Sequence, residues 1–384
     1  MKVSMVVDRM DIWGGVETHV RDLSRQILDR NHEISIITGA TGIASDVLEA
    51  EGVKIIECPT IIPDLRRPDL YLKSIFNVAS LLKQEAPDIV HSHNIGSELP
   101  ARVASRLLNI PSVHTYHGGP FGNKGLWKSK FWMGICQGIS SSFNQGFTIF
   151  VSDWTRDNGL KRGYVNQHNS VRIYNGVPDV TADNVPTQSS TIKMAMVARL
   201  SREKDHFTVL EALAKLQNVD WEMTFAGKGE QAEYLEKAKS LGIEDKCIFA
   251  GEISDIPELL SRQDILIHAS HQEALGIAII EGMRASLPII GTHVGGIPEI
   301  VNDGVNGYTF PDANVEVLTQ KIETLMADEQ LRRIMGQAGR NMYERSLQSD
   351  VMAEKTMEVY RRTMDIHGGQ KHFPRPSFLR RGIS

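Results

Sequence analysis

One alternation governs the whole chain. Short apolar runs are each followed by a longer stretch with helical spacing, and the cycle runs twice. In the first half "KVSMVV" (2–7), "EISIIT" (33–38), "VKIIE" (53–57), "DIVHSH" (88–93), "SVHTYH" (112–117) and "FTIFVS" (147–152) read as buried strands. Amphipathic segments such as "VETHVRDLSRQILDR" (16–30) and "DLYLKSIFNVASLLKQE" (69–85) lie between them. The second half repeats the pattern with "IKMAMVARL" (192–200), "WEMTFAG" (221–227), "KCIFAG" (246–251), "DILIHAS" (264–270) and "LPIIGT" (287–292). Strand–helix alternation is the signature of a parallel sheet with helices on both faces. Between the halves lies "PDVTADNVPTQSST" (178–191), polar, with two prolines and no periodicity, which reads as a linker.

The expected fold is therefore α/β: two doubly wound, Rossmann-like domains facing a cleft. The first spans 1–180, 181–191 is the linker, and the second spans 192–345. A helix over 346–366, containing "DVMAEKTMEVYRRTM" (350–364), is expected to return to the first domain, followed by a basic, disordered tail over 367–384. At roughly 100–200 residues per domain, 384 residues supply two cores. The formal net charge of −5 argues against nucleic acid as a partner. Three cysteines, Cys58, Cys136 and Cys247, are too widely spaced for a metal or disulfide pattern and suit a reducing compartment. Only five residues separate Lys2 from Asp8, too few for a signal-peptide core, and no apolar run reaches the ~18 residues of a spanning helix. A cytoplasmic protein is expected.

Ligands of doubly wound sheets sit at the carboxyl ends of the strands. After the first strand, "DRMDIWGGVETHV" sets Gly14 and Gly15 before a helix, where a backbone can approach a phosphate or simply turn. The dinucleotide spacing G-x-G-x-x-G is absent there. In the second half, "VARLSREKDHFTVLEAL" sets Arg199 and Lys204 between a strand and a helix, where they are either solvated charges or a grip for a diphosphate.

The stretch "ASHQEALGIAIIEGMRASLPII" (269–290) places Glu273 and Glu281 around an apolar run. On one continuous helix they would stand about 12 Å apart and ~80° around the axis. That is too far for an acid/base pair on one atom or for one metal ion. A helix beginning near Leu275 or Gly276 leaves Glu273 in the loop above it and Glu281 inside it. The amides of Leu275, Gly276 and Ile277 then form an anion site between the carboxylates. Beside a bound diphosphate each carboxylate must point at something neutral, and hydroxyl groups fit, because an ionised carboxylate only accepts hydrogen bonds. A ligand with a charged middle and a polyol at each end has the shape of a nucleotide sugar.

"EALGIAIIE" is an E-x7-E element, followed by "GMRASLPIIGTHVGGIPEIVNDGVNGYTF" and preceded by "VARLSREKDHFTVLEAL". With "GGVETHV", "HTYHG" and "YNGV", the chain from about 1 to 365 resembles the family 4 retaining glycosyltransferases of the GT-B fold. The resemblance implies that Arg199 and Lys204 neutralise the diphosphate leaving group, that Glu273 binds the donor hexose and that Glu281 binds the ribose. It also implies contacts to sugar and phosphates from Gly15 and the amides of Ala274, Leu275, Gly276 and Ile277. Ile253 would lie near the base and His117 beside the donor sugar. Leu275 stands where the family usually has an aromatic residue, and Asp205 where glycine commonly follows the lysine.

The expected activity is transfer of a hexose, from a UDP-sugar or alternatively from GDP-mannose, to a glycan or lipid-linked acceptor in surface-polysaccharide or lipopolysaccharide assembly. A nucleotide-sugar 2-epimerase and a silent nucleotide-sugar-binding subunit are the rival readings. Two cations make a divalent metal unnecessary, and no aspartate cluster suits one; no cofactor is expected. His91, His93 and His114 read as core or cleft wall, Asn175 and Gly176 as a turn. "FGNKGLWKSKFWMGICQ" (121–137) mixes lysines with aromatics, as an ordinary helix or as a peripheral contact with an anionic membrane on its inner face.

Overall fold

A computed structural model describes residues 1–61, 68–118, 146–180, 191–216 and 220–369. The basic aromatic segment 121–137, residues 181–190 of the linker and residues 370–384 of the tail lie outside them. Two all-parallel sheets form, as the alternation predicts. The first holds β1 (Lys2–Val7), β2 (Glu33–Thr38), β3 (Lys54–Glu57), β4 (Ile89–His93), β5 (Ser112–Tyr116), β6 (Thr148–Phe150) and β7 (Ser170–Arg172), in the order β3-β2-β1-β4-β5-β6-β7. The second holds β8 (Ile192–Val197), β9 (Trp221–Ala226), β10 (Cys247–Gly251), β11 (Ile265–His268), β12 (Ile289–Thr292) and β13 (Gly307–Phe310), in the order β10-β9-β8-β11-β12-β13.

Why the central strands are mostly apolar follows from the layers. In β1, Val3, Met5 and Val7 join the core under the helix Gly15–Asp29, while Val6 joins a separate core with Val78 and Leu82 on the other face. In β8, Met194 and Met196 pack with Val209 and Leu213, and Ala195 faces Leu275, Ile279 and Met283. The central strands are covered on both faces and are mostly apolar there, while β3 and β10 at the edges are partly exposed and β4 ends in the buried polar run His91, Ser92 and His93. The short edge strands β7 and β13 escape the sequence reading because three or four residues show no periodicity.

The last helix, Ser349–Gly369, packs on the first sheet: Met352, Ala353, Met357 and Tyr360 lie in the core of β1, and the Tyr360 hydroxyl bonds His91 Nδ1 at 2.6 Å. The chain thus passes between the sheets twice, and the two passages touch. Val177 N–H donates to Leu347 O, and Ser349 N–H donates to Val177 O, both at 3.0 Å. A Cβ on Gly176 would stand 2.3 Å from Gln348 O, so only glycine fits that seam.

Candidate active site

Each sheet has a point where strand order reverses, between β1 and β4 in the first and between β8 and β11 in the second. Crevices open there at the carboxyl ends, and the two crevices face each other. A Cβ on Gly15 would lie 3.7 Å from Ile277 Cδ1, and one on Gly118 would lie 2.9 Å from Ala274 Cβ. Glu299 of the second half accepts from the amides of Asp153 (2.8 Å) and Trp154 (2.7 Å) of the first.

The crevice of the second sheet is charged. Lys204 closes the turn after β8, and Glu273 lies in the loop after β11. Lys204 Nζ and Glu273 Oε2 are 2.7 Å apart, and His268 Nε2 meets the same oxygen at 3.1 Å. The Ala274 amide donates to Oε1 at 3.2 Å. Burial pushes the Glu273 carboxyl up, but His268 and the Lys204 ammonium outweigh it and hold the group well below the usual carboxylate range. In this structure the Glu273 carboxylate pairs with the Lys204 ammonium, two groups that the sequence reading assigns to the hexose and to the diphosphate. Arg199, between the end of β8 and Lys204 in sequence, is exposed. Asp205 takes the left-handed conformation (φ 47°), which aspartate tolerates, and its carboxylate caps the next helix at Thr208 N, 3.3 Å away. The departure from glycine thus keeps the same turn.

The following helix begins at Ile277, one or two residues later than the sequence suggests. Gly276 is its N-cap at φ 97°, a conformation suited to glycine, and no side chain caps it. The N-cap thus leaves the amides of Ile277 and Ala278 without a side-chain cap, while Ile279 N–H donates to Gly276 O at 3.1 Å. Leu275 is 1% exposed and packed with Ile279, so its side chain belongs to the core and only its backbone can meet a ligand. Ile253, in the loop after β10, is half-buried. Glu281 is half-buried inside the helix. Burial pushes its carboxyl up to about 7, opposed by Arg284 and reinforced by Asp22 across the crevice.

The crevice of the first sheet is lined by neutral rings. His93 Nδ1 and His117 Nε2 are 3.1 Å apart, and the His19 ring meets His117 edge-on at 4.6 Å. His19 Nδ1 bonds Asn175 Oδ1 at 3.0 Å. Burial lowers His19 to about 4 and pushes His93 and His117 well below the ordinary histidine value. His91 and His114 are core residues, as expected: His91 bridges Tyr360 and Thr115, and His114 Nδ1 bonds Ser92 Oγ at 3.0 Å. Deeper in, Asp8 accepts from the amides of Gly96 (3.1 Å) and Ser97 (2.6 Å), yet burial pushes its carboxyl up to about 6. The helix of the GG motif begins at Gly15 after an extended Gly14, with no side-chain cap.

Of the site candidates, the fold brings His117, Lys204, Glu273, Gly15 and the 274–277 loop to the facing crevices, and sets Glu281 opposite Asp22. Sequence reasoning missed His19, His268 and Asn175. His268 was legible as the last residue of an apolar strand; Asn175 was read as a turn, 156 residues from the histidine it bonds.

Two facing doubly wound sheets with this crevice define a glycosyltransferase of the GT-B type. The profile of "Glycosyltransferase Family 4" matches residues 13–180, and that of "Glycosyl transferases group 1" matches 181–342. The N-acetyl-alpha-D-glucosaminyl L-malate synthase of Bacillus anthracis is 32% identical over 94% of this chain and 97% of its own. The chain belongs to the family 4 glycosyltransferases. A UDP-Gal:alpha-D-GlcNAc-diphosphoundecaprenol alpha-1,3-galactosyltransferase of Escherichia coli is 23% identical over 84% of this chain and 89% of its own. Among solved structures, Anabaena HepE in complex with UDP-glucose superposes with a TM-score of 0.78 at 19% identity, over 94% of this chain and 99% of that one. Among the described residues, no helix is long and apolar enough to cross a membrane.

Proposed function

We propose that the protein is a retaining, metal-independent hexosyltransferase that moves a hexose from a UDP-sugar to a hydroxyl of a glycan or lipid-linked acceptor. The observation that carries this reading is the Lys204–Glu273 pair, 2.7 Å apart, beside an uncapped helix start. A diphosphate entering there offers Lys204 a second anion. Lys204, Arg199 and the amides of Gly276 and Ile277 together stabilise the charge that grows on the leaving group, which is preorganised electrostatic catalysis. Glu273, already ionised, accepts from hexose hydroxyls, and Glu281 accepts from the ribose hydroxyls. Gly15 lets the opposite backbone close on the phosphates, Ile253 lies toward the base, and neutral His117 hydrogen-bonds the hexose.

In a front-face transfer the C1–O bond to the diphosphate breaks as the acceptor oxygen bonds C1 from the same side. The acceptor proton passes to the departing phosphate oxygen, so no protein nucleophile is needed. The acceptor lies on the first domain (1–180), and the setting is surface-polysaccharide or lipopolysaccharide assembly. The HepE complex with UDP-glucose and the E. coli galactosyltransferase support the donor and the lipid-linked acceptor. The L-malate named for the Bacillus relative favours a second acceptor class, a small hydroxy acid.

A panel of UDP-, GDP- and ADP-sugars read by thermal shift should single out the UDP donors, since a ligand stabilises by mass action. Transfer with chelator present, measured against undecaprenol-linked and L-malate acceptors, then decides metal need and acceptor. Transfer that survives Lys204→Ala at wild-type rate sinks the site assignment.

A further inference from the structure

The first crevice holds a group that the proposed transfer uses only in part. His19 comes from the helix after β1, His93 ends β4 and His117 follows β5. Strand order β1-β4-β5 brings the three together at the switch point. One ring nitrogen of each lies within 4.8 Å of the other two, and His93 Nδ1 and His117 Nε2 are 3.1 Å apart. Ring nitrogens on one tetrahedral ion, each at about 2.0–2.1 Å, stand about 3.3–3.4 Å from one another. The observed pair is within a few tenths of an ångström of that spacing.

The orientation of His19 is the second observation. The Asn175 amide oxygen accepts from Nδ1, which places the proton there and leaves Nε2 as a lone pair. That Nε2 is buried and has no hydrogen-bond partner. An orphaned buried acceptor calls for an occupant, and a metal-bound histidine is oriented by just such an outer hydrogen bond. Burial keeps all three rings in the neutral, ligating form. The three donors are imidazole nitrogens, a set that suits zinc-class ions and not magnesium. His117 is half-buried at the mouth, which gives an entry path and leaves a fourth position open to the crevice.

We propose that His19, His93 and His117 bind one divalent transition-metal ion of the zinc class, and that the bound ion inhibits transfer by occupying His117. The inhibitory clause rests on the transfer reading; the binding does not. The ion replaces the proton shared between His93 and His117, and the displaced proton moves to the outer nitrogen of the same ring, so three neutral imidazoles bind with no net change in protonation.

Cobalt(II) titrated into the full-length, metal-stripped chain is the probe, read by its visible ligand-field bands. One equivalent with the intense bands of a four-coordinate site is expected. His19→Gln should weaken binding more than 100-fold, and Asn175→Ala about 10–100-fold through loss of the orienting bond. His271→Ala, which dismantles the group formed by buried Asp205 and exposed His271 and Asp312, should leave the bands unchanged. If His19→Gln does not fold by circular dichroism, His117→Gln at the half-buried mouth replaces it. Wild-type protein without such bands, or bands lost in His271→Ala and kept in His19→Gln, overturns the site. Stoichiometric zinc should suppress transfer reversibly with chelator, and unimpeded transfer by zinc-loaded protein overturns the inhibition. Failure of every donor in the metal-free protein would count against the transfer reading alone, since the cobalt bands do not depend on it.

Discussion

The two crevices are built by the same topology and filled with opposite chemistry. At the switch point of the second sheet stand a lysine, an ionised glutamate and the positive end of a helix, with Arg199 exposed in the loop after β8. At that of the first sheet stand three histidines that burial keeps neutral. Fixed charge is what a departing diphosphate needs; a neutral wall is what lets sugar hydroxyls be sorted by hydrogen bonding. On the proposed transfer reading, the halves divide their labour by which groups burial lets ionise, and not by the fold, which is shared.

The sharpest way to break that comparison is to discharge one half. Lys204→Ala should lower kcat/KM about 10²–10³-fold, with the chain still folded, measured by single-turnover transfer. Adding Glu273→Ala should cost less than it does alone, because the pair acts as a unit. Next in size is a change to the floor beneath the charges. Leu275→Ala empties a position that is 1% exposed and should cost about 2–5 kcal/mol in urea unfolding, while donor KM in the folded protein moves far less.

The pH dependence sharpens the contrast further. Glu281 titrates at about 7 without ligand, whereas burial takes the facing histidines below their ordinary range. Only ionised Glu281 accepts from both ribose hydroxyls, so donor KM should fall as pH rises from about 6 to 8 and then level. Glu281→Gln should flatten that slope and His117→Gln should keep it. The stability sign is opposite. The folded carboxyl binds its proton more tightly than the unfolded one, near 4.3, so ligand-free stability declines between about pH 4 and 7 and is flat above. Smallest is Gly15→Ala. Its new Cβ meets Ile277 at an ordinary 3.7 Å, so the melting temperature should hold while donor KM rises a few-fold.

Much of this was legible in the sequence, for identifiable reasons. Strands covered on both faces are apolar at most positions, so β1, β2 and β8 declare themselves without any knowledge of their partners. Lys204 and Glu273 were each legible as strand-end charges. Their ion pair was not, since nothing in either segment tells a chain where a residue 69 positions away will land. The same holds for His19 and Asn175. Leu275 enters the site reading through its backbone amide; that its side chain packs in the core depends on residues such as Ile279 and Met283 and on strand partners that its own segment does not reveal.

The seam at Val177 and Gln348 has a mechanical consequence. Two passages of backbone cross between the lobes side by side, bonded to each other at 3.0 Å on both sides of Gln348. Two struts joined at one place form a pivot. The lobes can rotate about it, but they cannot slide apart or shear past each other without tearing it. An opening of the cleft is therefore expected to be a swing about that pivot, with the mouth moving most and the seam moving least.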